Sequence, residues 1–246
     1  MSEFTYKEVD VEGMDTLEVV ASADKFNEWM YNTIRPFCTG RILEIGSGIG
    51  NISQFFLDNK ANLTLSDIRE NYCAILENKF KNFPNLAGVV RLDLVDPGFD
   101  ETYASLLGTF DSVFALNVVE HIQDDARAIQ NCRKLLKAGG TLVVLVPAYQ
   151  WLYNNFDRKL EHYRRYTAQS LRKASGSGWQ IISQRYFNAM GMLGWFVSGK
   201  LMKNETIPSQ QMKIYNLVVP IAQVIDALVL RKTGLSIIQV SKKNAQ

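Results

Sequence analysis

Residues 42–50 read Ile-Leu-Glu-Ile-Gly-Ser-Gly-Ile-Gly, an apolar run with one acid that breaks into three glycines at alternate positions. No other stretch limits the fold as tightly. Arg41 to Ile45 has the short, continuous apolar character of a parallel strand buried on both faces. From Asn51 the positions Ile52, Phe55 and Phe56 take helical spacing. Strand, glycine turn and helix therefore follow one another without a linker. In such a unit a ligand sits over the carboxyl end of the strand. Glycine lets the chain turn sharply and, lacking Cβ, lets a ligand approach the backbone.

Spacing separates two ligand classes. A dinucleotide turn of the Rossmann type wants Gly-x-Gly-x-x-Gly, with the third glycine allowing close helix–strand packing. Counted from Gly46, that third position is Asn51, so the fingerprint fails and a nicotinamide oxidoreductase is disfavoured. Glu44 instead completes Glu-x-Gly-x-Gly-x-Gly. This resembles the S-adenosylmethionine (SAM) loop of class I methyltransferases. SAM has no pyrophosphate to seat at the helix start, and its sulfonium and ammonium favour a nearby acid. The resemblance implies SAM as cofactor, S-adenosylhomocysteine as product, and contacts from Glu44, Gly46, Ser47, Gly48 and Gly50.

Further strand ends extend the pattern. Asn62–Asp67 reads as a second strand. Asp67 lies about twenty residues past the turn, where a carboxylate accepts ribose hydroxyls, with Ile68 against the adenine face. Glu70 three residues on equally makes Asp67 a helix N-cap in a capping box. Val89–Asp93 reads as a third strand. The resemblance gives Asp93 and its neighbour Leu94 an adenine role, while the turn at Asp96-Pro97-Gly98 makes a solvated turn acid the alternative. Phe110–Asn117 reads as a fourth strand, and the resemblance sets Asn117 beside the methionine end of SAM. Leu135–Thr141 reads as a helix ended by a glycine C-cap, followed by a fifth strand over Leu142–Val146. The resemblance covers about residues 40–147.

Bulk properties agree with one soluble globular domain: 47% hydrophobic and 21% charged residues. A net charge of +2 gives no electrostatic case for nucleic acid. Cys38, Cys73 and Cys132 lack metal spacing, and with no signal peptide in view the chain is expected to be cytoplasmic with reduced thiols.

The expected architecture is α/β: a Rossmann-like, seven-stranded, mostly parallel sheet with helices on both faces and the last strand antiparallel. Residues 1–39 form an N-terminal helical lid, with Trp29 and Tyr31 as lid residues or as ordinary core. Residues 40–186 form the SAM-binding core, with Trp179–Phe187 as the sixth strand. Residues 187–233 form a helical substrate-cover insert. Residues 234–246 hold the last strand and tail. The insert has two apolar pieces, Met190–Met202 and Met212–Leu230. Asn216, Gln223 and Asp226 interrupt the second, which falls below the ~18 apolar residues of a membrane span. It reads as a packed cap, as a greasy substrate cover, or as a surface for peripheral membrane contact over 190–230. Monomer and homodimer both stay open.

Methyl transfer needs an aligned nucleophile, deprotonated if it is a hydroxyl. The segment from Tyr149 to Tyr166 leaves the fifth strand on the ligand face. His162 is the first candidate base, because imidazole titrates near neutral pH; His121 is the second. Tyr149, Tyr153, Tyr163 and Tyr166 would orient an acceptor, and Arg164 and Arg165 would hold a carboxylate or phosphate. Bracing of the loop is the competing reading of the same run. The Asn/Asp-Pro-Pro-Tyr and Pro-Cys signatures of nucleic-acid enzymes are absent. Asn117 and Pro147 do not match the magnesium-binding acids of catechol-type enzymes. The expected activity is therefore metal-independent methylation of a small, hydrophobic, lipid-like or aromatic metabolite at oxygen. It resembles the quinone- and natural-product-directed enzymes. N- or C-methylation and a non-catalytic SAM-binding module are the alternatives.

Overall fold

The apolar run Arg41–Ile45 forms strand β1 at the centre of the sheet in the computed structural model of the chain, which describes residues 11–201 and 209–244. Its side chains alternate between two cores. Ile42 packs with the cluster on one sheet face, and Leu43 and Ile45 pack with the cluster on the other. This two-sided burial is why the strand carries no polar alternation.

The remaining strands are β2 (Asn62–Asp67), β3 (Leu86–Arg91), β4 (Phe110–Leu116), β5 (Leu136–Pro147), β6 (Trp179–Phe187) and β7 (Ser236–Lys243). They form one seven-stranded sheet in the order β3-β2-β1-β4-β5-β7-β6. Pairings from β3 through β5 are parallel, and β7 runs antiparallel to both β5 and β6. The chain reverses direction across the sheet between β1 and β4, so their carboxyl ends flank the crevice where α/β sheets bind ligands.

Ten helices surround the sheet among the described residues: α1 (Val11–Ala21), α2 (Asp24–Ile34), α3 (Ser53–Asp58), α4 (Glu70–Phe80), α5 (Phe99–Thr102), α6 (Asp125–Leu135), α7 (Asn155–Lys159), α8 (Ala168–Ser175), α9 (Ala189–Phe196) and α10 (Ser209–Leu228). One core holds Trp29, Ile34, Phe56, Leu76 and Phe80, with Val219 and Ala222 of α10. The other holds Phe99, Ile129, Cys132 and Leu171. Cys38, Cys73 and Cys132 are buried free thiols. Among the described residues no helix is long and apolar enough to cross a membrane.

Several local expectations change. The third strand ends at Arg91, so Asp93 lies in the turn beyond it. Helix α6 ends at Leu135, and Leu136 is already extended and paired with Phe110. Gly139 is left-handed (φ 73°) inside this strand lead-in and is not a helix cap. Trp29 and Tyr31 are core residues: Trp29 lies 4.3 Å from the Phe187 ring, and Tyr31 stacks on Phe55 and meets Phe56 edge-on. Residues 1–10 of the lid region, 202–208 of the insert (including Met202) and 245–246 of the tail lie outside the described residues.

The insert is tied down by its own polar residues. Asp226 of α10 is buried and accepts the N–H groups of Asn188 and Ala189, both at 2.7 Å, at the start of α9. Asn188 takes the left-handed conformation, and its side chain accepts from Gly191 N–H at 2.7 Å and Tyr215 O–H at 2.5 Å. The acid that interrupts the apolar run is thus the clamp between the two helices. An N-terminal cap from another helix supplies the acceptor that the first turn of α9 lacks.

Candidate active site

The turn after β1 stands in a conformation that requires glycine. Gly46, Gly48 and Gly50 have φ of 68°, 53° and 81°. A Cβ on Gly46 would fall 2.5 Å from Val118 Cγ2, and one on Gly50 would fall 2.4 Å from the Phe80 ring. The turn's own N–H groups are already used. Ser47 donates to Ser66 O (2.8 Å), Gly50 to Ser47 O (2.8 Å), and Gly48 to Asp67 Oδ2 (3.0 Å). A pyrophosphate would need such groups free. What the turn offers instead is carboxylates: Glu44, Asp67 and Asp93 all border the adjoining cavity. That chemistry suits a hydroxyl-bearing nucleoside with a cationic tail.

Asp67 is not a helix cap. Arg69 is the N-cap residue of α4, and no side chain caps it. The Asp67 carboxylate is buried and accepts Gly48 N–H and Arg69 N–H, each at 3.0 Å. Burial pushes its pKa up despite those bonds. Two N–H bonds leave carboxylate lone pairs for further donors. Glu44 accepts the Ser53 hydroxyl, and burial outweighs its serine partners to push it up to about 8. Asp93 uses Oδ1 to accept Val95 N–H at 2.8 Å, and its own N–H donates to the Tyr103 hydroxyl at 2.9 Å. At the end of β4, Asn117 is left-handed (φ 54°) and donates its N–H to Leu145 O at 2.8 Å.

Across the cavity, the segment from Tyr149 to Tyr166 closes on itself at its base. Tyr149 N–H donates to Tyr166 O (2.7 Å), and Tyr166 N–H donates to Pro147 O (2.8 Å). Within it, Asp157 is fully buried and organises the loop. Its Oδ1 pairs with His162 Nδ1 and Arg165 Nε, both at 2.8 Å, and its Oδ2 accepts Asn154 N–H at 2.9 Å. Burial alone would raise the Asp157 pKa, but the His162 bond and the Arg165 charge hold it below the usual range. The loop reaches the segment after β4 through Tyr163 N–H, which donates to Glu120 O at 2.8 Å.

That contact gathers a cluster. His121 and His162 lie edge to face with ring centroids 4.5 Å apart. Glu120, His121 and His162 each offer one ligand atom, and these lie within 4.8 Å of one another. Glu120 is fully buried, and neither carboxylate oxygen has a hydrogen-bond partner. Burial pushes it up to about 8, softened only by its own N–H and the Arg165 charge. Burial, with the His162 ring beside it, pulls His121 down to about 3. A single cavity of about 1070 Å³ joins this cluster to the glycine turn, Asp67 and Asn117. Its roof comes from α1, α9 and α10, including Leu17, Trp195, Tyr215 and Val218.

Comparison with known proteins agrees with this arrangement. Residues 43–142 match the family model of a methyltransferase domain. The chain is similar over this stretch to methyltransferase domains. It is 30% identical over 118 residues to the highly reducing polyketide synthase resH of Aspergillus sclerotiorum, covering 43% of this chain and 4% of that protein. It is 29% identical over 102 residues to the ubiquinone biosynthesis O-methyltransferase of Xanthomonas campestris pv. campestris (strain B100), covering 42% and 41% respectively. The chain therefore matches well under half the length of these relatives. A SAM-dependent methyltransferase from Archaeoglobus fulgidus superposes with a TM-score of 0.54 at 16% identity, covering 88% of this chain and 94% of that one, a likeness of fold.

Glu44, Gly46, Ser47, Gly48, Asp67, Ile68, Asp93, Leu94 and Asn117 all line the cavity. Gly50 does not; it makes room for the Phe80 ring behind the turn. On the acceptor side His121, His162, Tyr163 and Arg165 reach the cavity wall. Arg165 is buried, and its guanidinium is taken up by Asp157 and by Ala148 O at 3.2 Å. Arg164 points away, to Asp125 (2.8 Å) and Gln123 O (2.7 Å). Tyr166 is buried and donates to Asp125 at 2.7 Å. Tyr153 donates to His162 O at 2.8 Å. Tyr149 stacks on Tyr186 with ring centroids 5.0 Å apart. None of these last four lines the cavity, because they are the braces that shape the loop. Glu120, Asp157 and the α1 wall escape the sequence reading. The absence of free partners around Glu120 is a fact of packing, and only its place three residues after Asn117 is visible in the chain.

Proposed function

We propose that the chain transfers a methyl group from SAM to a small, largely apolar metabolite at oxygen. The observation that carries this is the single cavity, which the glycine turn with Asp67 and the Glu120–His121–His162 cluster both line. Donor and acceptor held there would react as an oriented pair, shielded from bulk water. Asp67 would hold the ribose hydroxyls and Asp93 the adenine. Glu44 would brace the turn from beneath through the Ser53 hydroxyl, and Asn117 would border the methionine end. Bound in this way, SAM supplies a methyl carbon on a good leaving group, so the protein's main task is alignment.

The cluster receives the acceptor. Asp157 fixes the His162 ring through Nδ1, so the remaining nitrogen has a set direction at this end of the cavity. Oxygen as acceptor atom is supported by the O-methyltransferase among the relatives. An apolar acceptor is supported by the roof of α9 and α10. The outer face of α10 carries Ile214, Leu217, Ile221, Val224 and Leu228 at alternating three- and four-residue steps, from 57% exposed at Ile221 to 76% at Leu228. Exposed Lys213, Arg231 and Lys232 flank this stripe, and Ile214 also borders the cavity. An apolar stripe with basic flanks suits contact with an anionic lipid surface, which would deliver a lipid-like acceptor to the cavity mouth.

Incubation with methyl-labelled SAM and a panel of hydroxylated, carboxylated and amine metabolites tests the reading. Label should appear on a hydroxylated apolar acceptor. His162→Ala should keep SAM affinity and lose turnover by about 100-fold or more. SAM binding with no transfer to any acceptor class would leave a SAM-binding module without catalysis.

A further inference from the structure

We propose that Glu120, His121 and His162 form a binding site for one divalent transition-metal ion at the acceptor end of the cavity. The inference rests on the methyl-transfer reading only for what the ion would do, not for whether it binds. Three features of the cluster carry it. One ligand atom from each residue falls within 4.8 Å of the others, so small side-chain shifts would bring all three onto one ion. His162 is already anchored through one ring nitrogen, Nδ1, to Asp157 at 2.8 Å. Metal-bound histidines nearly always use their second nitrogen in this way, on a carboxylate or a backbone carbonyl, which fixes the ring and leaves the other nitrogen for the metal. Glu120 completes the set with a fully buried carboxylate that has no hydrogen-bond partner on either oxygen. Buried carboxylates ordinarily find donors.

The neighbouring charges allow a cation. Two cations act on the cluster, Arg69 on His121 and Arg165 on Glu120, and the Arg165 Nε and one terminal nitrogen are committed to Asp157 and Ala148 O. Arg165 and Asp157 cancel, so Glu120 and the two imidazoles would face the ion. Two nitrogens and one carboxylate oxygen select zinc, iron, cobalt or manganese over calcium and magnesium, which prefer all-oxygen shells. Three protein ligands leave a coordination position open, as in catalytic and not structural sites. That position adjoins the space assigned to the acceptor, so the ion would hold the acceptor oxygen in place. Sequence spacing hides the site, since His162 joins Glu120 and His121 only when the loop folds back.

The test uses the whole chain, stripped with a chelator and then freed of it, without SAM or acceptor present. Cobalt(II) is titrated by visible absorption and zinc(II) by calorimetry. One ion per chain is expected, with cobalt d–d bands and no thiolate charge-transfer band. Glu120→Gln and His121→Ala, each verified as folded by thermal melting, should weaken binding by about 100-fold or more, since loss of an outer partner alone costs about 10- to 100-fold. No stoichiometric ion in the wild-type chain would overturn the proposal. So would binding that survives both substitutions, or a thiolate band pointing to the cysteines. SAM binding is measured separately, so failure here leaves the methyl-transfer reading standing.

Discussion

Glu44 shows at the residue scale how one position serves fold and site together. Buried beneath the glycine turn, it keeps its proton up to about 8, against 4.5 for an ordinary glutamate. Between those values the folded chain binds a proton that the unfolded chain has released. Its contribution to stability is therefore complete below the lower value and lost as pH rises through the upper one. Melting temperature should fall as pH rises from about 5 to about 9, and Glu44→Gln should flatten that fall. Parallel profiles for the two proteins would exclude Glu44 as the source. Glu44 and Asp67 were legible in the sequence because each sits a fixed distance from a glycine turn or strand end. Glu120 was not, because its lack of partners depends on residues about 40 positions away that fold over it.

At the scale of elements, the loop from Tyr149 to Tyr166 was legible in place but not in detail. Its departure from the ligand face follows from the strand order. Which side chains turn inward is set by the Asp157 hub, and spacing within His-Tyr-Arg-Arg-Tyr carries no sign of that hub. Arg165 thus serves as a brace where the sequence offered it as an anion clamp. Removing one member of a buried ion pair leaves the other uncompensated, which costs about 3–5 kcal/mol. Arg165→Ala should lose stability on that scale in urea denaturation. An unchanged midpoint with a raised KM would restore the clamp. For α10, replacing Leu217 and Val224 with Glu should abolish sedimentation with anionic phospholipid vesicles while leaving SAM affinity intact. Equal sedimentation of both proteins would remove the lipid-surface role.

For the whole molecule, the proposed function puts the donor over the parallel half of the sheet and the acceptor among the additions around it. The donor half was readable because turn, acid and strand recur in one order along a continuous stretch. The acceptor half is assembled from the segment after β4, the folded-back loop, α1, and the helices between β6 and β7. Such long-range assembly leaves little periodic trace in a sequence. The identity of the donor is the first thing the proposed function depends on. Calorimetric titration of the whole chain with SAM and, in parallel, NAD(H) tests it directly. One SAM per chain is predicted, no heat from NAD(H), and SAM affinity weakened by about 10- to 100-fold in Asp67→Asn, the scale of a hydrogen bond to a charged group. NAD(H) binding without SAM binding would contradict the account.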